Sequence, residues 1–371
     1  MIIDVHCHYT FTRLPHEAAK RFSFERERTN RAAGAPLYPT DFDSYVSARA
    51  TSRVSWRMVR WWLGYPPPGA DLDRRLAAEY RQHFLADGPI DRFALLAFDA
   101  VHADDGRCVP VPDRRGALGS DIYTSNSLIR DRCRQWPERF LFGASVHPYR
   151  ANAVACVEEV FTAGACLLKW LPLHQNIAPD DARTVAVLRK CSEVGLPVLL
   201  HAGDEFSLTT QRPAYSPVGP WLQTLRTLRA EGAMPVVIMA HVATPVMPWG
   251  DRASHRVLVD ALLDEFADAP LYADVSALAA WTKVGYLRRL ARRPEVHGKL
   301  LFGSDFPVPT GLWGIRRELG RDYSRLASMK SWPQQAAAAY RRLGFDEVVF
   351  KRAAELLPNV NCFGPAPAAT A

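Results

Sequence analysis

The chain has 371 residues, of which 48% are hydrophobic, and a formal net charge of +7. That is enough for a large core, and suits either one α/β barrel with insertions or two domains. The positive excess is mostly scattered arginine with no block of five or six like charges, which argues against a nucleic-acid tail and agrees with an anionic small molecule as partner. The seven cysteines (7, 108, 133, 156, 166, 191 and 362) are odd in number, dispersed and without a CxxC, so they read as reduced thiols and not as a disulfide framework. No basic-then-apolar leader precedes the first apolar run, and no stretch is long enough to span a membrane. The expectation is therefore a cytoplasmic protein with no membrane and no nucleic-acid partner.

The first element is "IIDVHCH" (2–8). Its β-branched residues favour a strand. In a strand His6 and His8 project from one face and Cys7 from the other, so two imidazoles can converge on one cation. Two surface histidines by chance would look the same, and the rest of the chain has to decide.

Residues 9–90 then depart from any ordinary strand–helix connection. They hold "RVSWRMVRWWLGYPPPG" (53–69), dense in tryptophan and arginine, and "LDRRLAAEYRQHFLADG" (72–88), which reads as one amphipathic helix. This is a helical insertion after strand one. It can serve as a lid over a barrel mouth, as an oligomer contact, or as an excursion packed on the barrel side. A homo-oligomer is compatible with it.

From residue 91 a rhythm sets in. The apolar runs are "DRFALLAF" (91–98), "RFLFGASV" (139–146), "ACLLKWL" (165–171), "LPVLLH" (196–201), "PVVIMAH" (235–241), "PLYADVS" (270–276) and "KLLFGSD" (299–305). Consecutive apolar positions suit parallel strands buried on both faces. Helical stretches separate them. "PDDARTVAVLRKCSEVG" (179–195) opens on Pro and two acids and stops at Gly195. "PQQAAAAYRRLG" and "DEVVFKRAAELLP" read as two closing helices. With strand one this makes eight strands, most followed by a helix. The expectation is a (β/α)8 TIM barrel with a helical insertion after strand one and extra C-terminal helices. It forms a single unit over 1–360 that includes the 9–90 insertion, and 361–371 is a frayed tail. No GxGxxG follows strand one, so the open doubly wound sheet lacks its phosphate-binding signature.

The strand ends carry the chemistry. His6 and His8 end strand one, Lys169 strand four, His201 strand five, His241 strand six and Asp305 strand eight. In a barrel of this kind those ends meet at one rim. Imidazole and carboxylate groups at 6, 8, 201 and 305 make a nitrogen- and oxygen-rich site suited to zinc or a similar divalent ion. His16, His83, His102, His255 and His297 fall in helices or loops and read as surface residues. His147 and His174 lie just past strands three and four, near the pocket but not as ligands.

The motifs "DVHCH", "LPVLLHAGD", "MAHVATP" and "LLFGSDFPVP", in this order, resemble the amidohydrolase superfamily. The resemblance is to the amidohydrolase-2 branch that contains relatives of aminocarboxymuconate-semialdehyde decarboxylase. It implies a metal-bearing barrel with His6, His8, His201 and Asp305 as ligands. His241 is then a catalytic histidine or a second-metal ligand. The family spans hydrolysis of amides, esters and lactones, decarboxylation and hydration. The leading expectation is a metal-dependent hydrolase of a small anionic substrate, in which water is activated, Asp305 moves its proton and His241 polarises the scissile carbonyl or steadies the oxyanion. A non-oxidative decarboxylase or hydratase is the alternative, and a non-catalytic metal-binding protein the third reading.

Lys169 admits three readings: a pair with Asp204 or Glu205, a partner for a substrate carboxylate, or, by the resemblance, a carbamate bridging two metals with His241. One zinc-like ion per chain is the leading expectation, and two follow if Lys169 is carboxylated. Arg212, in the long loop after strand five, is the other expected contact for an anionic substrate, and Arg252 lies in the loop after strand six.

Overall fold

A computed structural model of the chain describes residues 1–16, 20–27, 42–109 and 118–363. Eight parallel strands follow one another in chain order: β1 (Ile3–His8), β2 (Arg92–Leu96), β3 (Phe140–Ala144), β4 (Ala165–Trp170), β5 (Val198–Leu200), β6 (Val237–Met239), β7 (Leu271–Asp274) and β8 (Leu300–Leu301). Each lies within its expected apolar run. The last strand returns to the first: Val5 N donates to Phe302 O at 3.2 Å and Asp305 N to His6 O at 2.8 Å, and Cys7 bridges Phe306. The sheet is thus a closed barrel, with no edge left to template aggregation.

Ile3, Val5, Ala94, Leu96, Leu141, Leu167, Leu199, Ile238 and Leu301 form a buried cluster inside the barrel, joined by Ala353 and Leu357 at the end of the closing helix Glu347–Leu356. A larger cluster fills the layer between the strands and the helices outside. The helix expected over 179–195 spans Ala182–Val194. Asp181, one of the two expected acids, caps it by accepting from Arg183 N, and Gly195 stops it at φ 73°. Gly tolerates that left-handed conformation, where a Cβ would crowd the preceding carbonyl.

The insertion is not wholly helical. Helices Val54–Leu63 and Ala70–Phe84 are present, but Arg13–Pro15 and Phe42–Val46 pair antiparallel, and Ile122–Thr124 from the loop after β2 adds a third strand. The three segments lie far apart in sequence and are at most five residues long, so none carries enough periodicity to be read alone. Residues 17–19 and 28–41 of the insertion lie outside the described residues. The helix Val54–Leu63 sits on the loop after β5: Trp56 Nε1 donates to Ser207 O at 2.9 Å and Arg53 to Phe206 O at 3.2 Å. Of the expected tail, Phe363 packs against the outer core, and 364–371 lie outside the described residues.

Candidate metal centre

The site begins with an irregularity in β1. The pairing of β1 with β2 slips between Asp4 and Cys7, a β-bulge. Strict alternation from Ile3 and Val5 would carry Cys7 inward and both histidines outward. Past the bulge Cys7 instead packs in the outer cluster, and His6 and His8 meet Asp305. Bulges re-aim side chains in this way beside functional sites. Gly303 completes the approach of β8. A Cβ there would stand 3.0 Å from His6 Cβ and 3.1 Å from Ser276 Cβ, so a larger residue would push the His6 ring or Ser276 aside.

Asp305 is the hub. Its Oδ1 lies 3.3 Å from His6 Nε2 and 3.2 Å from His8 Nε2, and its Oδ2 lies 3.8 Å from His241 Nε2. The ligating atoms of His6, His8 and Asp305 all fall within 4.8 Å of one another, as do those of His6, His241 and Asp274. The His6 and His241 rings stack at 4.9 Å. Asp305 (φ 63°), His241 (56°), Val242 (49°) and Ala243 (48°) all hold left-handed backbone. That conformation costs non-glycine residues on the order of 1–3 kcal/mol each and clusters at functional sites.

The end of β7 orients these rings. His6 Nδ1 lies 2.8 Å from Asp274 Oδ2. Ser276 Oγ donates to Asp274 Oδ1, so it accepts from His241 Nδ1, 2.7 Å away, with Ser276 O at 3.2 Å as a further acceptor. Both Nδ1 atoms therefore carry the proton, and both Nε2 lone pairs face Asp305. Lys169 Nζ donates to His6 Nε2 at 3.1 Å, which agrees with that tautomer. Lone pairs from imidazoles aimed at a carboxylate repel unless a cation offsets them; at His6 the Lys169 ammonium does so, and a divalent ion would take its place on that lone pair. The donor set therefore fits a divalent ion, and a carboxylate backing a ligating histidine is the usual support of such a site.

Burial dominates the ionisation of the cluster. It pushes His8 and His241 below the usual imidazole range and His201 down to about 4, so all three are neutral at pH 7. Burial opposes the charge on Asp305, but His241, His6 and His8 outweigh it and hold that carboxyl well below the usual range. Asp274 is held low likewise, chiefly by His6. Burial brings Lys169 down to about 8 against the pull of Asp305, Asp274 and Glu205.

The other expected site residues sort as follows. His201 stands beside the group, its ring 5.1 Å from His241, and is in neither close set of donors. The backbone turns back after β5, and His201 Nε2 donates to Asp204 O at 3.1 Å. Lys169 forms no ion pair with Asp204 or Glu205. Asp204 accepts from Asp251 N, Glu205 accepts from Ser207 N and Leu208 N, and the lysine contacts His6 instead. Arg212 is turned to the outer loops, donating to Asn176 Oδ1 at 2.7 Å with Asp104 at 3.8 Å. Arg252 donates to Pro248 O.

His83, His102 and His297 were expected at the surface but are buried and hydrogen-bonded: His83 to Glu79, His102 to Ala100 O and His297 to Leu290 O. His16 and His255 are partly buried. His147 and His174 are tied to the backbone at Gln175 and Thr209 and serve the loops, not the metal group. Asp274 and Ser276 had no expected role. Their signal was present in "PLYADVS", an acid ending an apolar run as His201, His241 and Asp305 end theirs.

Comparison with proteins of curated function returns no significant match. Among solved structures, an uncharacterized TIM-barrel protein of Bordetella bronchiseptica is similar over 95% of this chain and 96% of its own, at 15% identity and a TM-score of 0.51, which supports the barrel. A probable 2-pyrone-4,6-dicarboxylic acid hydrolase of Acinetobacter baumannii, solved with citric acid bound, shares 14% identity over 96% of this chain and 98% of its own, with a TM-score of 0.48. A 2,6-dihydroxybenzoate decarboxylase of Rhizobium shares 13% identity over 96% and 99%, with a TM-score of 0.45. Residues 3–342 match the family described as Amidohydrolase, and with nearly the whole length covered the chain belongs to that family and is an enzyme of the amidohydrolase type.

Proposed function

We propose that this enzyme is a metal-dependent hydrolase that cleaves an amide, ester or lactone bond of a small anionic substrate. The observation that carries this reading is the convergence of the His6, His8 and His241 Nε2 atoms on Asp305, those of His6 and His241 with their lone pairs free because Nδ1 carries the proton. His6, His8 and Asp305 would hold the ion, with His201 on the same rim as the further ligand. A divalent ion there supplies Lewis acidity toward a substrate oxygen and toward water. The side chains of His8 and Asp305 are 19% and 10% exposed, so the group is open to solvent, unlike a sealed structural site.

Asp305 is ionised at neutral pH and accepts the proton of the attacking water, then delivers it to the leaving group. His241 presents a bare Nε2, because Nδ1–H is given to Ser276. In that tautomer the ring has no Nε2 proton to give an oxyanion, so beside Asp305 it would serve as a proton acceptor. The bond to Ser276 and the stacking on His6 hold the ring in place.

The test is a screen of esters, lactones and amides bearing carboxylates, run with metal-loaded and chelator-stripped protein, with product analysis. Acid release that disappears on stripping and returns with zinc or manganese is expected. Turnover indifferent to stripping would refute the reading. Carbon dioxide release from aromatic or dienoic acids would move the enzyme to the decarboxylase alternative on the same residues.

A further inference from the structure

We propose that the helix Val54–Leu63 is a docking face for an anionic lipid surface. The proposal does not depend on which reaction the enzyme runs. The segment is one-sided in charge: residues 44–70 hold Arg49, Arg53, Arg57 and Arg60 and no acid. Trp56, Trp61 and Trp62 fall among these arginines.

The contacts of the helix fix which way it faces. Ser55 is buried, and its Oγ donates to Phe206 O at 3.3 Å. Trp56 Nε1 donates to Ser207 O at 2.9 Å and Arg53 to Phe206 O at 3.2 Å. The side that carries Ser55 and Trp56 is thereby tied to the loop after β5. Val54, Met58, Trp61 and Trp62 lie within an arc of about 100° at 3.6 residues per turn, turned away from that loop. They are 62–85% exposed. A helix packed on a globular core turns its apolar stripe inward, and here the stripe faces outward. Gly64 ends the helix in left-handed backbone and Pro66, Pro67 and Pro68 follow, so a stiff segment holds the stripe in that orientation.

Exposed apolar patches of this kind mark contacts with proteins or membranes. Charge chooses between them. Among the described residues no carboxylate pairs with Arg53, Arg57 or Arg60, whereas Arg49 meets Asp121 at 2.7 Å. The three arginines flank the stripe on one side of the helix. A twofold contact between copies of this chain would lay the patch on itself and set these arginines against their own copies. An anionic bilayer meets them with opposite charge. Tryptophan favours the headgroup level, where arginine reaches phosphate. The net charge of +7 draws the chain to the same surface.

No helix among the described residues is long and apolar enough to cross a membrane. A helix lying in the interface needs no such length. The expectation of no membrane partner rests on spanning length and does not bear on a surface contact.

The experiment uses the full-length protein and co-sedimentation with extruded vesicles. One set is phosphatidylcholine alone, and the other carries about 30% phosphatidylserine, which gives it a negative surface potential. The anionic vesicles should bind about 30- to 150-fold more tightly than the neutral ones, as expected of two to three arginines at the surface. Arg57→Gln combined with Arg60→Gln should remove about 30-fold of that preference. Trp61→Ser combined with Trp62→Ser should weaken binding to the anionic vesicles by about 100-fold or more, and should leave the melting temperature unchanged because both rings are exposed.

If the tryptophan pair does not fold, the arginine pair and the comparison of the two vesicles with the unmodified protein carry the test. No co-sedimentation with the anionic vesicles, or equal binding to both compositions, would overturn the proposal. So would a dimer in sedimentation equilibrium that the tryptophan pair dissociates, which would assign the face to a second copy of the chain.

Discussion

Asp274 Oδ2 lies 2.8 Å from His6 Nδ1, and both side chains are at most 1% exposed. One carboxylate at the end of β7 thereby decides which nitrogen of a residue on β1 carries a proton. An asparagine there can turn its amide toward His6 and donate, which would move the imidazole proton to Nε2 and point it at Asp305. Asp274→Asn should lower metal affinity about 10- to 100-fold while the barrel stays folded. Competition with a chromophoric chelator, alongside a circular-dichroism melt, reads both. Unchanged affinity would show that the tautomer is set elsewhere.

Metal stoichiometry separates the two readings of Lys169. The group around Asp305 should retain one ion per chain, and His6→Ala, His8→Ala or Asp305→Ala should lose the ion together with turnover. Lys169→Met should keep the ion, since the lysine meets His6 Nε2 only as a donor. Elemental analysis after gel filtration is the measurement. Two equivalents in the wild type, falling to one or none in Lys169→Met, would establish the carbamate-bridged pair instead.

Asp99 and Arg150 form a buried bidentate pair that ties the ends of β2 and β3, with Nε and Nη2 each 2.7 Å from a carboxylate oxygen. His147 N also donates to Asp99 at 2.8 Å. Removing one partner strands a charge, so Arg150→Met should cost about 3–5 kcal/mol in urea unfolding. The double variant with Asp99→Asn should lose less than the sum of the two single changes. A loss under about 1 kcal/mol for the single variant would mean that water reaches the pair.

The barrel was legible because its strands are apolar at consecutive positions and its helices carry their own stop signals, as at Gly195. The rim was legible because each of His201, His241 and Asp305 ends such a run. Alternation alone could not show that a bulge between Asp4 and Cys7 turns the histidines inward. Nor could it show that His83, His102 and His297 are buried, since the rings packed against them come from far along the chain: Phe306 and Trp332 on His83, His147 on His102 and Phe345 on His297.

Acid should destabilise the metal-free protein well before Asp274 and Asp305 titrate. Burial lowers His8, His83, His174, His201, His241 and His255, and an unfolded histidine titrates near 6.5. Below that pH the unfolded chain binds more protons, so the stability these residues allow is complete above about 6.5 and is lost as pH falls toward their folded values. Each contributes up to about 1.4 kcal/mol per pH unit inside its window. Asp4 acts in the opposite sense. Burial raises it to about 7, so its folded form takes up a proton first and offsets about one histidine. Asp274 and Asp305, held low, withdraw their contribution only below about pH 4. The melting temperature of chelator-treated protein should therefore fall steadily between pH 7 and pH 5. With metal the fall should be steeper, because the ion binds only unprotonated imidazoles and is released over the same range. A melting temperature that stays level from pH 7 to pH 5 in the stripped protein would mean that these rings are hydrated and free to take up a proton in the folded state.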